Sequence, residues 1–469
     1  MKFVVLTMAL VTILPVTILS RRYDAIFRVL WFCLGCFPFL LSAIPFFDIG
    51  ILSWGDQWIG FVHGVEVSAV DFVAILCFLS LKRPWLAVWH LVPLMLWIAT
   101  AAISMTQAPQ PMAAFFGVWQ LLRVLLVTAV VVSAVEDVRV PFLILKGMAL
   151  GLFLNAAASI WQHFGLGLAQ SPGLFVHQNT LGMITHFVLF PHLALLLATR
   201  RENLYVSGTV FACLLVVVLT ASRATVGFAL AGVALTYVVV FLSGATQRLI
   251  AIALAGTVCA GLLAPLAVSA FNSRFDKSPL SEDVYDERAA FNRAALYIFH
   301  DHPFGVGINH YVSFAKDGGY AQRGGVADNE TNRSNIVHNA YWLSAAETGF
   351  LGLIAFSLTL LSAFVLAARS AFAIPNSTYR ALLCGFLVAI TMASIHSTLE
   401  WIIFIKDVQY ALGLTIGLVS LVAVQSAARF RRTRPAHAFG NLPSSITLLE
   451  RRLASSGLAV GSLSKVNKQ

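Results

Sequence analysis

The chain has 469 residues and a formal net charge of +10, with 59% hydrophobic and only 11% charged residues. A soluble globular protein carries roughly 25% charged residues, so this chain has less than half the charge that a water-facing surface needs. These proportions exclude a soluble enzyme, a disordered tail protein and a secreted disulfide scaffold. They predict an all-α polytopic integral membrane protein, with apolar residues enough for about twelve spans at about 20 residues per span.

Apolar stretches of spanning length run over 3–20, 25–46, 62–81, 85–106, 112–135, 142–163, 179–199, 204–221, 224–243, 249–270, 339–368, 381–399 and 408–428. Lipid offers the backbone no hydrogen-bond partners, so these stretches are expected to be helices. Thirteen spans would leave the N-terminus outside, and merging or discarding one near the N-terminus gives twelve with both ends inside. Met1-Lys2 followed by an apolar run lacks a small-residue cleavage site and is read as the first, uncleaved span. Cys33, Cys36, Cys77, Cys213, Cys259 and Cys384 all fall in apolar runs and read as packing residues.

Arg21-Arg22, Lys82-Arg83, Arg200-Arg201, Arg248, the stretch Arg369 to Arg380 and the tail Arg429, Arg431, Arg432 and Arg434 fall on alternate connectors. Basic connectors belong on the cytoplasmic side, where they also meet anionic headgroups. The expected organisation is one membrane domain over 1–428 and a basic, partly disordered cytoplasmic tail over 429–469.

The connectors of the other set are short and nearly uncharged, except the one over 271–337. It holds nine acids, from Asp276 to Glu330, together with Arg274, Lys277, Arg288, Arg293, Lys316, Arg323 and Arg333. A loop this long is uncommon unless it is functional. A helix is expected over Asp286 to His300, broken by His302-Pro303-Phe304-Gly305-Val306-Gly307. His300, Asp301 and His302 are spaced too tightly before a proline to suggest a metal site, and no Asp-x-Asp clamp or Walker loop occurs. Neither metal nor nucleotide cofactor is expected.

Three further features lie on the same side as this loop. His338 opens a long apolar helix, where the positive end of the macrodipole favours an uncharged ring suited to a general base; a belt histidine bonded to headgroup or backbone is the plainer alternative. Arg223 interrupts about 40 apolar residues, so it either binds an anion or snorkels to headgroups. His177-Gln178-Asn179-Thr180 stands at the entrance of another span. Asn339 and Tyr341 are candidates for orienting the histidine or a sugar, as are His177 and Asn179.

Phe175 to Gly182, the Ser222-Arg223 turn, Pro303-Phe304-Gly305-Val306-Gly307 and His338-Asn339 with Glu347-x-Gly349-x-x-Gly352, in this order around a large extracytoplasmic loop, resemble the O-antigen ligase and polymerase superfamily. The resemblance covers roughly 140–425, and within the superfamily it is strongest to the ligases. It implies transfer of a glycan from undecaprenyl diphosphate to lipid A–core oligosaccharide at the periplasmic face of the bacterial inner membrane, without metal or ATP. By motif position His338 would be the essential histidine, and Arg223 with Arg288 (Arg293 as second choice) the essential arginines. An O-antigen polymerase or a protein O-oligosaccharyltransferase shares these motifs. A solute transporter is a more distant alternative, disfavoured by the lack of an internal repeat and by polar residues gathered on one face.

Overall fold

The computed structural model describes residues 2–84, 88–199, 203–243, 282–329, 332–374 and 378–432, with scattered positions between 251 and 272. The expected span over 249–270, the loop residues Arg274, Asp276 and Lys277, and the tail beyond 432 lie largely or wholly outside these residues. The chain divides into two units, Met1–Ser426 and Ala427–Gln469, and the helical bundle is the first of them.

Among the described residues the architecture is almost entirely helical. In chain order the helices are α1 (Lys2–Arg22), α2 (Asp24–Cys36), α3 (Ala69–Ser80), α4 (Val88–Ser104), α5 (Pro111–Ser133), α6 (Val140–Ile160), α7 (Gln178–Ala198), α8 (Asn203–Leu219) and α9 (Arg223–Leu242). There follow α10 (Glu282–Asp301), α11 (Tyr311–Asp317), α12 (Tyr320–Gly324), α13 (Ala340–Ala373), α14 (Thr378–His396) and α15 (Lys406–Arg432). Among the described residues nine helices are long and apolar enough to cross a membrane, and α3 and α8 are shorter apolar helices. α7 is the most enclosed of the nine, with 89% of its apolar window buried, whereas only 11% of the window of α1 is buried. An apolar helix exposed on nearly every side suits lipid, not water.

The N-terminal region departs from the expected spans over 25–46 and 62–81. α2 stops at Cys36, and a two-stranded antiparallel sheet follows, β1 (Asp48–Ser53) with β2 (Gly64–Ser68). α3 starts only at Ala69, where Ser68 and Asp71 form a reciprocal capping box. The reason is charge. Arg123 of α5, 5% exposed, bonds Asp71 through Nε at 2.9 Å and lies 3.5 Å from Asp48 and 3.7 Å from Glu66. Lys406 of α15 pairs with Asp48 and, at 3.2 Å, with Glu66. The Tyr410 hydroxyl donates to Asp71 at 2.6 Å. Charges removed from water persist only when paired, and a sheet carrying two carboxylates reaches these cations where a continuous helix would not.

The connectors gather on two opposite faces. On one, Arg139 joins Asp24 at 2.8 Å and Arg21 donates to the Leu79 carbonyl at 2.9 Å. On the other, the Asn309 side chain bonds Val62 and Ala113, Ser171 bonds Leu219, and Ala340 bonds Ser397. The segment after α10 is docked here on α13. Val306 N donates to Ala346 O, Gly307 N to Glu347 O and Phe350 N to Pro303 O, at 2.9–3.0 Å, while the buried Glu347 carboxylate accepts from Tyr311 N at 2.9 Å. To make this ladder α13 breaks its helical conformation at Gly349, with φ 68° and ψ −168°. The two glycine motifs of the sequence are therefore two halves of one backbone joint. Gly349→Ala forces a side chain into glycine-only backbone space and against the Phe304 backbone. It should cost about 1–3 kcal/mol, read as a lowered Tm of the purified protein in detergent; an unchanged Tm would show that the joint tolerates a Cβ.

Candidate functional site

Three segments meet on a single carboxylate, Glu400, in the connector between α14 and α15. Glu400 is 2% exposed. Its Oε1 accepts from Asn179 Nδ2 at 2.8 Å and from Arg288 Nη2 at 3.0 Å. Its Oε2 lies 3.1 Å from His338 Nδ1. Burial alone pushes this carboxyl up, but the His338 hydrogen bond and the Arg288 guanidinium beside it outweigh it and hold the group below the usual glutamate range. An ionised carboxylate accepts only, so the facing histidine nitrogen carries the proton. That leaves Nε2 as the basic nitrogen of a half-exposed ring.

Each partner is placed by local chemistry. Asn339 caps α13, its side-chain oxygen accepting from Tyr341 N and Trp342 N. Tyr341 donates its hydroxyl to Ser394 O at 3.0 Å and so ties α13 to α14. Both residues thereby have structural tasks that fix the start of α13 and, one residue earlier, His338. His177 caps α7 by accepting from Asn179 N, which aims Asn179 at Glu400. On α10, Arg288 and Phe291 share a face. Phe291 packs edge-on against the His338 ring at 6.4 Å.

Arg293 goes elsewhere. Five residues at 3.6 per turn put it about 140° around α10 from Arg288, and its Nε donates to Gly324 O at 2.9 Å. It holds α12 against α10 and is not brought to Glu400. His300 bonds Asp301, Asp301 pairs with Arg323 at 2.6 Å, and His302 bonds the Tyr320 hydroxyl. The hydrogen bonds from His300 and Arg323 draw the exposed Asp301 carboxyl below its usual range. This tight trio thus fastens the end of α10.

Arg223 is exposed in the first turn of α9, directly after its cap Ser222. It makes no hydrogen bond or ion pair to any other described residue. Its neighbourhood is fixed by Gly182 of α7, where an added Cβ would collide with Thr225, so the starts of α7 and α9 lie against one another. Phe228 packs on His396 at 4.9 Å, one turn from Glu400. Arg223 therefore stands on the same rim as Asn179, with its guanidinium open to a ligand.

The arrangement can hold an anion with the guanidinium groups of Arg223 and Arg288, and take up a proton at His338 Nε2. Glu400 was not among the residues the sequence picked out. The available signal was a lone acid closing an apolar span on the side that carries the arginines and histidines.

A family model described as O-antigen ligase (Wzy_C) matches residues 208–357, which supports membership of the O-antigen ligase/polymerase superfamily. The matched stretch takes in most of α8, then α9, α10 and the kinked part of α13, and hence Arg223, Arg288 and His338, but neither Asn179 nor Glu400. No curated protein matches the chain.

Proposed function

We propose that this chain is an inner-membrane glycosyltransferase of the O-antigen ligase type, moving a glycan en bloc from undecaprenyl diphosphate to lipid A–core oligosaccharide at the periplasmic face, with the C-terminus in the cytoplasm. The observation that carries this reading is the convergence of Arg288, His338 and Asn179 on the buried Glu400, with Arg223, unpaired among the described residues, on the same rim. The acceptor hydroxyl oxygen attacks the anomeric carbon, and its proton passes to His338 Nε2. The bond from the anomeric carbon to the diphosphate oxygen breaks on the opposite face, so the centre inverts. The electron pair leaves with the lipid diphosphate, whose growing charge is met by the forked donors of Arg288 and Arg223. Glu400 holds the imidazole in the required tautomer and stabilises the imidazolium that forms.

The reading is tested with purified protein, lipid-linked glycan and lipid A–core, each variant first checked for expression and stability in detergent. Arg288→Lys keeps the charge and loses the planar fork. Losing one charge-assisted hydrogen bond is worth about 1.5–3 kcal/mol, so transfer should fall roughly 10- to 150-fold. Arg293→Lys should leave transfer near wild type and show its effect in Tm, because its partner is a backbone carbonyl of α12. An active Arg288→Lys beside an inactive Arg293→Lys would reverse these roles. Transfer should also survive EDTA and need no nucleotide; activity lost on chelation and restored by Mg²⁺ would overturn the arginine account.

A further inference from the structure

On the face opposite Glu400, a cavity of about 360 Å³ opens where α1, α3 and α5 end, lined among others by Arg21, Arg22, Lys82, Arg83, Asp24 and Arg139. Its charge is not internally cancelled. Asp24 is occupied by Arg28 at 2.5 Å and by Arg139 at 2.8 Å, and Asp137 by Arg139 at 2.7 Å. Arg21 spends its Nε on the Leu79 carbonyl, leaving both terminal nitrogens. Arg22 rests on the Tyr23 ring at 5.6 Å and has no carboxylate partner among the described residues. Lys82 and Arg83 have no carboxylate partner among the described residues, and Glu136 is the one lining acid without a cation on it.

The floor is apolar, formed by Phe27, Leu81 and Ala134. Leading to its rim, α1 presents Val11, Leu14 and Ile18, all exposed, at spacings that form one stripe along the helix. Four cations converging at the end of a lipid-exposed apolar stripe give a headgroup site with a path for acyl chains beside it. Arginine forks suit phosphate oxygens in particular, and basic pockets between membrane helices hold anionic headgroups.

We propose that this cavity binds a phosphate-bearing anion, the chemistry shared by an anionic phospholipid headgroup and free inorganic phosphate. The site is separate from the candidate transfer site and does not rest on the reading given to it.

The full chain, purified in a neutral maltoside detergent, is titrated with phosphatidylglycerol, phosphatidylcholine or inorganic phosphate, and bound ligand is read by native mass spectrometry together with Tm. The expected result is one saturable phosphatidylglycerol with a raised Tm, little phosphatidylcholine, and binding about tenfold or more weaker in Arg22→Gln/Lys82→Gln/Arg83→Gln. Arg369→Gln, which removes one cation from α13 away from the cavity lining, should bind as wild type. Competition by millimolar inorganic phosphate identifies free phosphate as a ligand, and its absence assigns the site to the lipid headgroup. Should the triple variant fold poorly, Arg83→Gln alone is read for the same change. Binding of phosphatidylglycerol and phosphate unaltered by these substitutions, or lowered equally by Arg369→Gln, would overturn the proposal.

Discussion

His338→Ala is expected to lower glycan transfer by about 10²–10⁴ at saturating acceptor, the usual worth of general-base help, and to leave the fold in place. The fold should survive because the start of α13 is secured by its neighbours. Asn339 caps the helix, Ala340 N bonds Ser397 O, and the Tyr341 hydroxyl reaches Ser394 O. Among the described residues, the ring packs on Phe291 and bonds Glu400. In the proposed reaction the arginines hold the donor, so binding of lipid-linked glycan should be retained and the loss should fall on turnover. A well-folded alanine variant turning over at the wild-type rate would remove His338 from the reaction.

Glu400→Gln is expected to be nearly as damaging, by about 10²–10⁴, although Glu400 does not touch the reacting atoms. An amide is close to a carboxylate in shape, but it presents a donor as well as an acceptor. Facing the amide nitrogen, His338 Nδ1 would become the acceptor, and the proton would move to the nitrogen that must be basic. A merely structural Glu400 would lower Tm and spare the turnover of the protein that remains folded. A tautomer-setting Glu400 loses turnover with little change in Tm or in KM for the donor. Glu400→Ala adds a stability loss of about 1–3 kcal/mol by leaving part-buried donors unpaired. Because the carboxyl is held below its usual value, its ionisation contributes stability that is fully present above pH 4.5, the ordinary glutamate value. That contribution disappears as pH falls through the lowered value. A wild-type Tm that declines on acidification below that point, with a smaller decline in Glu400→Gln, is the expected pattern; equal declines would place the acid-labile carboxylates elsewhere.

Most of the helical segments were legible because their apolar runs are long and uninterrupted. His338 and Asn179 were legible because polar groups stand out at the ends of such runs, and Arg288 because it lies in the helix of the one long charged loop, where the family resemblance seeks an arginine. Arg293 looked equivalent to Arg288 by composition, and only the angular step around α10 separates them. Glu400 was obscured for the opposite reason. It is a single acid in a short connector, and its partners come from segments as distant in sequence as Asn179 and Arg288. The sheet over 48–68 was missed because β2 reads as the start of the span over 62–81, while β1 falls in the connector before it. What decides against a span is the set of carboxylates Asp48, Glu66 and Asp71, whose cations lie on α5 and α15.

The pairing of that sheet with α15 has a consequence for biosynthesis. Asp48, Glu66 and Asp71 emerge from the ribosome long before Lys406 and Tyr410, the groups that complete their shell. Through most of translation only Arg123 is at hand to offset three acids. The water-facing side of the membrane is the one place where the unfinished cluster can wait without a heavy desolvation cost. The shell of this cluster is therefore completed only when residues 406–410 have been inserted, first elements against last.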